Sequence, residues 1–556
     1  MLIKRLTQAV VLGLTALCCQ AQDSLLLRDY TFVKQGDSWL VGSNAAALTR
    51  YAYENIAKAE LSLTKAKGGF TDFRDSPDVL QADAAVESFF RLSPHTVVFG
   101  AMSYNNFSGK EMAGSSFISD FSPLNSGLRN QTSDIRLQTS DFRHLPFDIV
   151  ENSLNNVGTK HLDTYHLTGA FGYRAVKGFA VGARLDYTAA NYAKYKDLRH
   201  KNKLMDMTFS ASVFAPLGSI AQIGASYIYR RTTESVQFST YGKSDRTYKS
   251  FVNYGPFIGQ VEQYGNIGYT DKSRAMPLVD DYNGLSAQLG LQLSPVSLYN
   301  AFTYAHRRGY YGRRSPYTIT YTQHSSHVYG YTARLSFQSA TTRIRADLSL
   351  QAENLENDAR NYRELKNDAG ATYYQYYTPV KVANRLWVDG TAVLTADLGV
   401  KTLLPTWTLQ AGLQWGHHKQ TAYLFPYYRQ QHYTSYEPFL SLTRNIATQH
   451  GVWTVQAGAS FRHGDGTPAD DGTFIDPSDK QTPPPTMDAY FWRDYQWMNA
   501  AQYEVDASGQ YAFIMPSTSM KTYVRISVSH RKCNECNEYT AGPDRTTGSL
   551  TLGCEF

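Results

Sequence analysis

Cysteine is scarce in this chain, with five among 556 residues, and two of the five, Cys18 and Cys19, lie in an apolar run near the start. The other three, Cys533, Cys536 and Cys554, cannot staple a chain of this length, which excludes a disulfide scaffold. Long apolar runs are also missing. Past the first residues no stretch of about 18 apolar residues occurs, and mean hydropathy is −0.40, so no helix of this sequence can cross a bilayer. A dominant charge is lacking too: 54 basic residues meet 48 acidic ones, a formal net charge of +6 that is too weak and too dispersed for a nucleic-acid partner.

Tyrosine, by contrast, is abundant, with 41 residues against 27 Phe and 7 Trp, beside 40 Gly. A ring that is apolar at one end and wet at the other suits a boundary between oil and water. At the N-terminus Lys4 and Arg5 precede the run Ala9 to Cys19, and Gln20-Ala21-Gln22 follows, so residues 1–21 are expected to be a signal peptide cut after Ala21. Leu17 before Cys18 and Cys18 before Cys19 are not the small residues that lipidation needs. About 535 residues remain, enough for two or three soluble domains or one large barrel.

Periodicity chooses between these. Phe179, Val181, Ala183, Leu185 and Tyr187 share one face of an extended chain, and Gly182, Arg184, Asp186 and Thr188 share the other. The same alternation runs through Met205 to Val213, Arg343 to Leu350 and Tyr523 to Ser529. Two segments are near twins, Trp407 to Trp415 and Trp453 to Phe461, each bracketing its apolar face with aromatics. Eight residues at about 3.3 Å rise, tilted by about 40°, separate those rings by about 20 Å, close to the roughly 25 Å apolar band of a membrane barrel.

Connections alternate as well. Short links fall at Leu92 to His95, Val176 to Gly178, Ala215 to Gly218, Leu293 to Val296, Gln338 to Thr341, Leu404 to Thr406, Thr448 to Gly451 and Met515 to Thr518. Between them lie long polar excursions at about 105–160, 233–283, 353–384 and 463–498, which would count against strands in a soluble domain but suit a barrel with short turns at one end and long loops at the other. Eight turns join nine hairpins, which predicts an all-β, antiparallel, up-and-down transmembrane barrel of about 18 strands, with 16 as the alternative. A secreted sandwich or propeller would also alternate, but it gives the aromatic brackets no purpose.

The last strand, Thr547 to Phe556, is apolar on every second position and ends on an aromatic, and so resembles the assembly signal of outer-membrane barrels. Nearly the whole chain resembles a group of large Gram-negative outer-membrane barrels carried as a domain of unknown function. That resemblance implies the outer membrane as location, membrane lipid and the barrel-assembly machinery as partners, and pairing of the closing strand with a first strand near Ala57 to Lys65. A second likeness lies in Trp39 to Leu48, which is similar to the Asn-Pro-Ala-Ala-Leu segment of fatty-acid-transporter-type, porin-like barrels, with Ala45 in place of the proline. It implies that Asn44 helps to seat residues 22–55, a periplasmic segment and partial plug, against the barrel of residues 56–556.

Candidate site residues follow from the faces. Arg184, Asp186, Asp206, Arg343, Arg345, Asp347, Lys521 and Arg525 fall on lumen faces, where they either form a salt-bridge mesh or bias the pore toward anions. Phe179, Tyr187, Trp407, Trp415, Trp453, Phe461 and Phe556 are expected in the aromatic girdle. Cys533 and Cys536 are spaced for a local disulfide in the last long loop, with a redox pair, half of a zinc site or free thiols as alternatives. Asp465, Asp470, Asp471 and Asp476 on a glycine-flexed stretch make a weak calcium candidate. His324 and His327, and His417 and His418, do not share strand faces and so do not form metal sites. No spacing singles out a catalytic set, so neither an enzyme nor a cofactor is expected.

A barrel this wide leaves an aqueous lumen unless it is plugged, so the expected function is passive diffusion of a polar or weakly anionic small solute. The alternative is a surface accessory protein whose Tyr-rich loops, such as Tyr304 to Tyr321 and Tyr373 to Tyr377, dock a glycan or a partner uptake protein.

Overall fold

The computed structural model describes every residue except 1–25, 27, 54, 113, 119–143, 177, 243–244, 266 and 516–519. The expected signal peptide therefore lies outside the described residues, as do residues 516–518 of the last short turn. No described helix is long and apolar enough to cross a membrane.

Eighteen antiparallel strands form one closed sheet, from Ile56–Lys67 to Asp544–Glu555. Closure is in register: Lys58 faces Glu555, Leu63 faces Leu550 and Lys67 faces Thr546. Ala57 and Phe556 add a reciprocal backbone pair, with N···O distances of 2.8 and 3.0 Å, so the terminal residue caps the seam. A closed sheet leaves no edge strand, the arrangement a backbone surrounded by hydrocarbon requires. The count is 18 rather than 16, and each of the eight expected short turns separates two consecutive strands.

The side-chain alternation resolves into two faces. Leu61, Leu63, Phe209, Leu440 and Ile526 stand exposed on the outside, and Ile526 is 64% exposed. Thr64, Ser210, Ser212 and Ser441 of the same strands are buried inside. The strands run further into the polar excursions than their sequence suggests. Thr96–Met112, Ala221–Ser239, Thr342–Ala359 and Val452–Thr473 each continue past the point where apolar alternation stops. Beyond the apolar belt both faces are polar, so the period-2 signal fades while the ladder continues.

Two bodies of chain fill the barrel. At the short-turn end lie the helices Tyr30–Lys34 and Ser38–Val41 and a 3₁₀ turn, Ala45–Arg50. Each is started by a side-chain cap: Asp29 accepts from Phe32 N, Asp37 from Trp39 N and Asn44 from Ala47 N. At the long-loop end a three-stranded sheet of Asp148–Glu151, Lys249–Asn253 and Gly259–Gln263 packs on wall residues. Its apolar core includes Phe147, Val252, Tyr269, Leu278, Tyr311 and Val382, all buried. The helix Asp488–Asn499 adds Tyr490 and Phe491 to a second cluster, with Phe73, Phe251 and Phe257.

Candidate functional site

The lumen and its two inserts form the site. The N-terminal segment sits in a recess that the wall makes by omitting side chains. A Cβ on Gly182 would stand 2.5 Å from the carbonyl carbon of Ala45, and one on Gly224 would stand 2.5 Å from Asn44 Nδ2 and 2.8 Å from the Trp39 ring. Gly172 and Gly290 extend the recess beneath Ala45 and Trp39. Trp39 wedges edge-on between Phe214 and Tyr299, with ring centroids at 4.9 and 5.1 Å. Asn44 spans the contact: its Nδ2 donates to Val213 O at 2.9 Å and to Gln288 Oε1 at 3.0 Å.

Polar clamps complete the seat. Arg343 donates to Phe32 O at 3.1 Å and lies over the Phe32 ring; Arg334 donates to Gln35 O at 3.3 Å and Arg345 to Gln35 Oε1 at 2.7 Å. Of these acceptors, Phe32 O and Gln35 O lie at the C-terminal end of the Tyr30–Lys34 helix, where cations match the negative end of its dipole. Arg174 reaches Thr49 O, Lys521 reaches Arg28 O, and Lys34 pairs with Glu87 at 2.9 Å.

The same device recurs at the other end. Arg385 donates to Leu145 O and Tyr254 O, each at 2.9 Å, Arg307 to His144 O at 2.8 Å and Lys160 to Ser115 O at 2.8 Å. A cation that binds a backbone carbonyl satisfies a group that an infolded loop cannot expose to water. This accounts for basic side chains in the lumen beyond those matched by acids.

All eight lumen candidates point inward, each in an ion pair. Arg184 pairs with Asp186 at 2.7 Å, Asp206 with Arg230 at 2.5 Å, Arg343 with Asp397 at 2.9 Å and Lys521 with Glu555 at 3.2 Å. Asp347 pairs with Arg334, while Arg345 lies 3.8 Å from Asp397 and Arg525 lies 3.7 Å from Glu60. Reading the alternation located this mesh but not the clamps Arg174, Arg307, Arg334 and Arg385, whose acceptors are carbonyls far away in sequence.

Of the residues expected in the girdle, Phe179, Trp453 and Phe461 are exposed, and Tyr187, Trp407, Trp415 and Phe556 are half-buried. Arg444 lies over the Trp407 ring at 4.7 Å. Among the Tyr-rich loops, Tyr311 and Tyr321 are buried in the infolded core and present nothing to a partner, whereas Tyr317 and Tyr377 are exposed.

Two expectations are corrected. Asp465, Asp470 and Asp471 lie on the Val452–Thr473 strand, not on a flexible loop, and Asp471 is held by Arg429 at 2.6 Å; Asp476 lies beyond the strand end. An extended strand splays its carboxylates instead of gathering them, and among the described residues no group of three His, Cys, Asp or Glu is placed to hold a metal. Cys533 and Cys536 are free thiols, Cys533 buried at its strand end, so the expected disulfide is not formed. Of the histidines, His324 is buried against Asp280 at 2.6 Å, whereas His327 is exposed.

At the long-loop end, on the Asp488–Asn499 helix, burial and the neighbouring Asp72 push the Asp494 carboxyl up to about 7 from 3.8. Its Oδ1 accepts no hydrogen bond among the described residues, and Arg74 Nη2 stands 3.7 Å away. A carboxyl raised in the folded state costs nothing below its unfolded value and destabilises increasingly as pH rises through the interval between about 4 and 7. Asp494→Asn should therefore slow amide exchange in this helix at pH 8, by about tenfold, and leave it unchanged at pH 4.

Among solved structures the chain is similar in barrel shape to several outer-membrane proteins. One is the ferric preacinetobactin receptor BauA of Acinetobacter baumannii, with 8% identity over 91% of this chain and 80% of that one and a TM-score of 0.38. Another is the outer membrane transporter YddB of Escherichia coli, with 9% identity over 91% and 81% and a TM-score of 0.37. A third is the alcaligin outer membrane receptor FauA of Bordetella pertussis, with 10% identity over 91% and 76% and a TM-score of 0.36. No curated protein matches the chain. Residues 155–556, well over half of the sequence, match a family described as of unknown function, DUF6850, and the chain belongs to that family.

Proposed function

We propose that this protein is an outer-membrane transport barrel of a Gram-negative bacterium. It admits polar or weakly anionic small solutes through a lumen that its N-terminal segment keeps shut between passages. The membrane location is supported by the outward apolar face, the aromatic brackets and a closed sheet that needs no water for its backbone. The observation that carries the transport reading is the glycine-lined recess holding Ala45 and Trp39. A wall that omits side chains to receive a short capped segment is shaped for a stopper, and the stopper is fastened by separable polar contacts. The long-loop insert, with its continuous apolar core, is the more permanent of the two.

Solute flux tests the proposal. A variant lacking residues 29–51, reconstituted in vesicles, should swell them with a neutral sugar or a small monocarboxylate faster than the intact protein does, and more slowly with a quaternary ammonium. A folded variant that passes none of the three overturns the proposal.

A further inference from the structure

Just beyond the aromatic belt on the long-loop side, the outer wall carries a compact basic patch. Arg231 on the Ala221–Ser239 strand stands opposite Asp281 on the Met276–Leu293 strand, and Asp281 in turn stands opposite Arg308 on the Val296–Gly312 strand. All three residues share the outward parity of the exposed Tyr227, Leu285 and Phe302. Arg314, exposed at the start of the next loop, lies over the Tyr310 ring at 4.0 Å. Asp281 already accepts from Arg231 at 3.2 Å and from Tyr229 at 3.0 Å. That carboxylate is thus engaged by Arg231, and Arg308 flanks it from the neighbouring strand.

One register step toward the belt, His306 stacks on His327, with centroids 5.0 Å apart and planes at 23°, and Tyr304 hydrogen-bonds His327 Nδ1 at 2.8 Å. Below these rings the face is apolar: Leu285 is 64% exposed, Phe302 51% and Tyr329 45%. The order from belt to rim is thus aliphatic, aromatic and imidazole, then guanidinium. That is the polarity profile of a lipid read from its chain to its headgroup. Arg231 and Arg308 sit two strand spacings apart, about 10 Å, a gap that two arginine side chains close around one phosphate.

We infer that this patch binds the phosphorylated headgroup of a lipid in the leaflet at the long-loop end, with Arg231 and Arg308 as the phosphate clamp and Leu285 and Phe302 against its acyl chains. The inference rests on the membrane placement proposed above. Guanidinium suits the role because its planar fork of donors engages phosphate oxygens in pairs and sheds water readily.

The intact barrel tests this. Folding and insertion are first checked by heat-dependent gel mobility and flotation with vesicles; failure there would overturn the membrane reading itself. Bisphosphoryl lipid A, its dephosphorylated form and inorganic phosphate are then titrated against the protein in detergent, with retained ligand read by native mass spectrometry. The wild type should retain the phosphorylated lipid at least about tenfold better than the dephosphorylated one, and R231Q/R308Q should lose that preference. Lys419→Gln, an outward cation elsewhere on the wall, should keep it. A double variant that inserts and still prefers the phosphorylated lipid overturns the inference. Inorganic phosphate retained at the patch as well as the lipid overturns the choice of a membrane headgroup as occupant.

Discussion

Placing valine at Gly182 and Gly224 together should release residues 29–51 to protease in a barrel that otherwise folds normally. Both glycines face inward on strands, where a β-branched residue costs the sheet nothing and improves its local propensity. Their Cβ positions are already taken by the segment: by the Ala45 carbonyl carbon at 2.5 Å for Gly182, and by Asn44 and Trp39 for Gly224. Close-packed matter cannot absorb two branched side chains at such distances, so the flexible partner must move. The wall is clamped by ladder hydrogen bonds on both sides, whereas the segment is held by helices of four to six residues. Such helices do not persist without the surface they pack on. Limited proteolysis should cut the double variant at least about tenfold faster than the wild type within this segment, while heat-dependent gel mobility stays that of a folded barrel. Gly169→Val, on the outer face of the wall where nothing lies within 4 Å of the Cβ position, is the control for the substitution itself. Equal protection in the double variant would mean that the recess is not what holds the segment. A rise in vesicle permeability alongside the cutting would make the segment the limiting barrier; cutting without flux would count against the segment as the stopper.

The wall of this barrel was legible from sequence because a single physical constraint acts on every residue of it. Val181 and Leu185 must meet hydrocarbon while Arg184 and Asp186 must not, and a period of two is the result. Turns such as Leu293 to Val296 show for the same reason, since the alternation breaks on proline. Nothing comparable marks the inserts. The Tyr30–Lys34 and Ser38–Val41 helices are too short for a 3.6-residue period to repeat, and only their caps, Asp29, Asp37 and Asn44, leave a trace. Asp148–Glu151 is buried on both faces, so it carries no alternation at all. The glycines of the recess look in sequence like any small strand residue; what marks Gly182 is the carbonyl carbon of Ala45, more than 100 positions away. The His463 to Asp476 stretch misleads in the opposite sense. Above the membrane both sides of a strand meet water, so a paired strand has the composition of a loop.

Replacing Arg307 should be the costliest single change in the lumen. Its side chain is fully buried, and Nε donates to Asp280 Oδ1 at 2.8 Å while Nη1 lies 3.1 Å from Glu353 Oε1 and donates to His144 O at 2.8 Å. His324 holds Asp280 at 2.6 Å and His144 holds Glu353 at 2.7 Å, so two buried carboxylates share one guanidinium between two imidazoles. Arg307→Met fills similar volume but leaves both carboxylates without their central cation, and breaking a buried pair this way costs about 3–5 kcal/mol. It also frees the loop carbonyl at His144, loosening the insert where it meets the wall. Urea unfolding in detergent should show that loss. Adding Asp280→Asn and Glu353→Gln to the same chain should recover much of it, because the uncompensated charges then go with the cation, and the three changes should be non-additive by about 1–3 kcal/mol. If Arg307→Met alone costs under about 1 kcal/mol, the cluster is hydrated and does not anchor the insert to the wall.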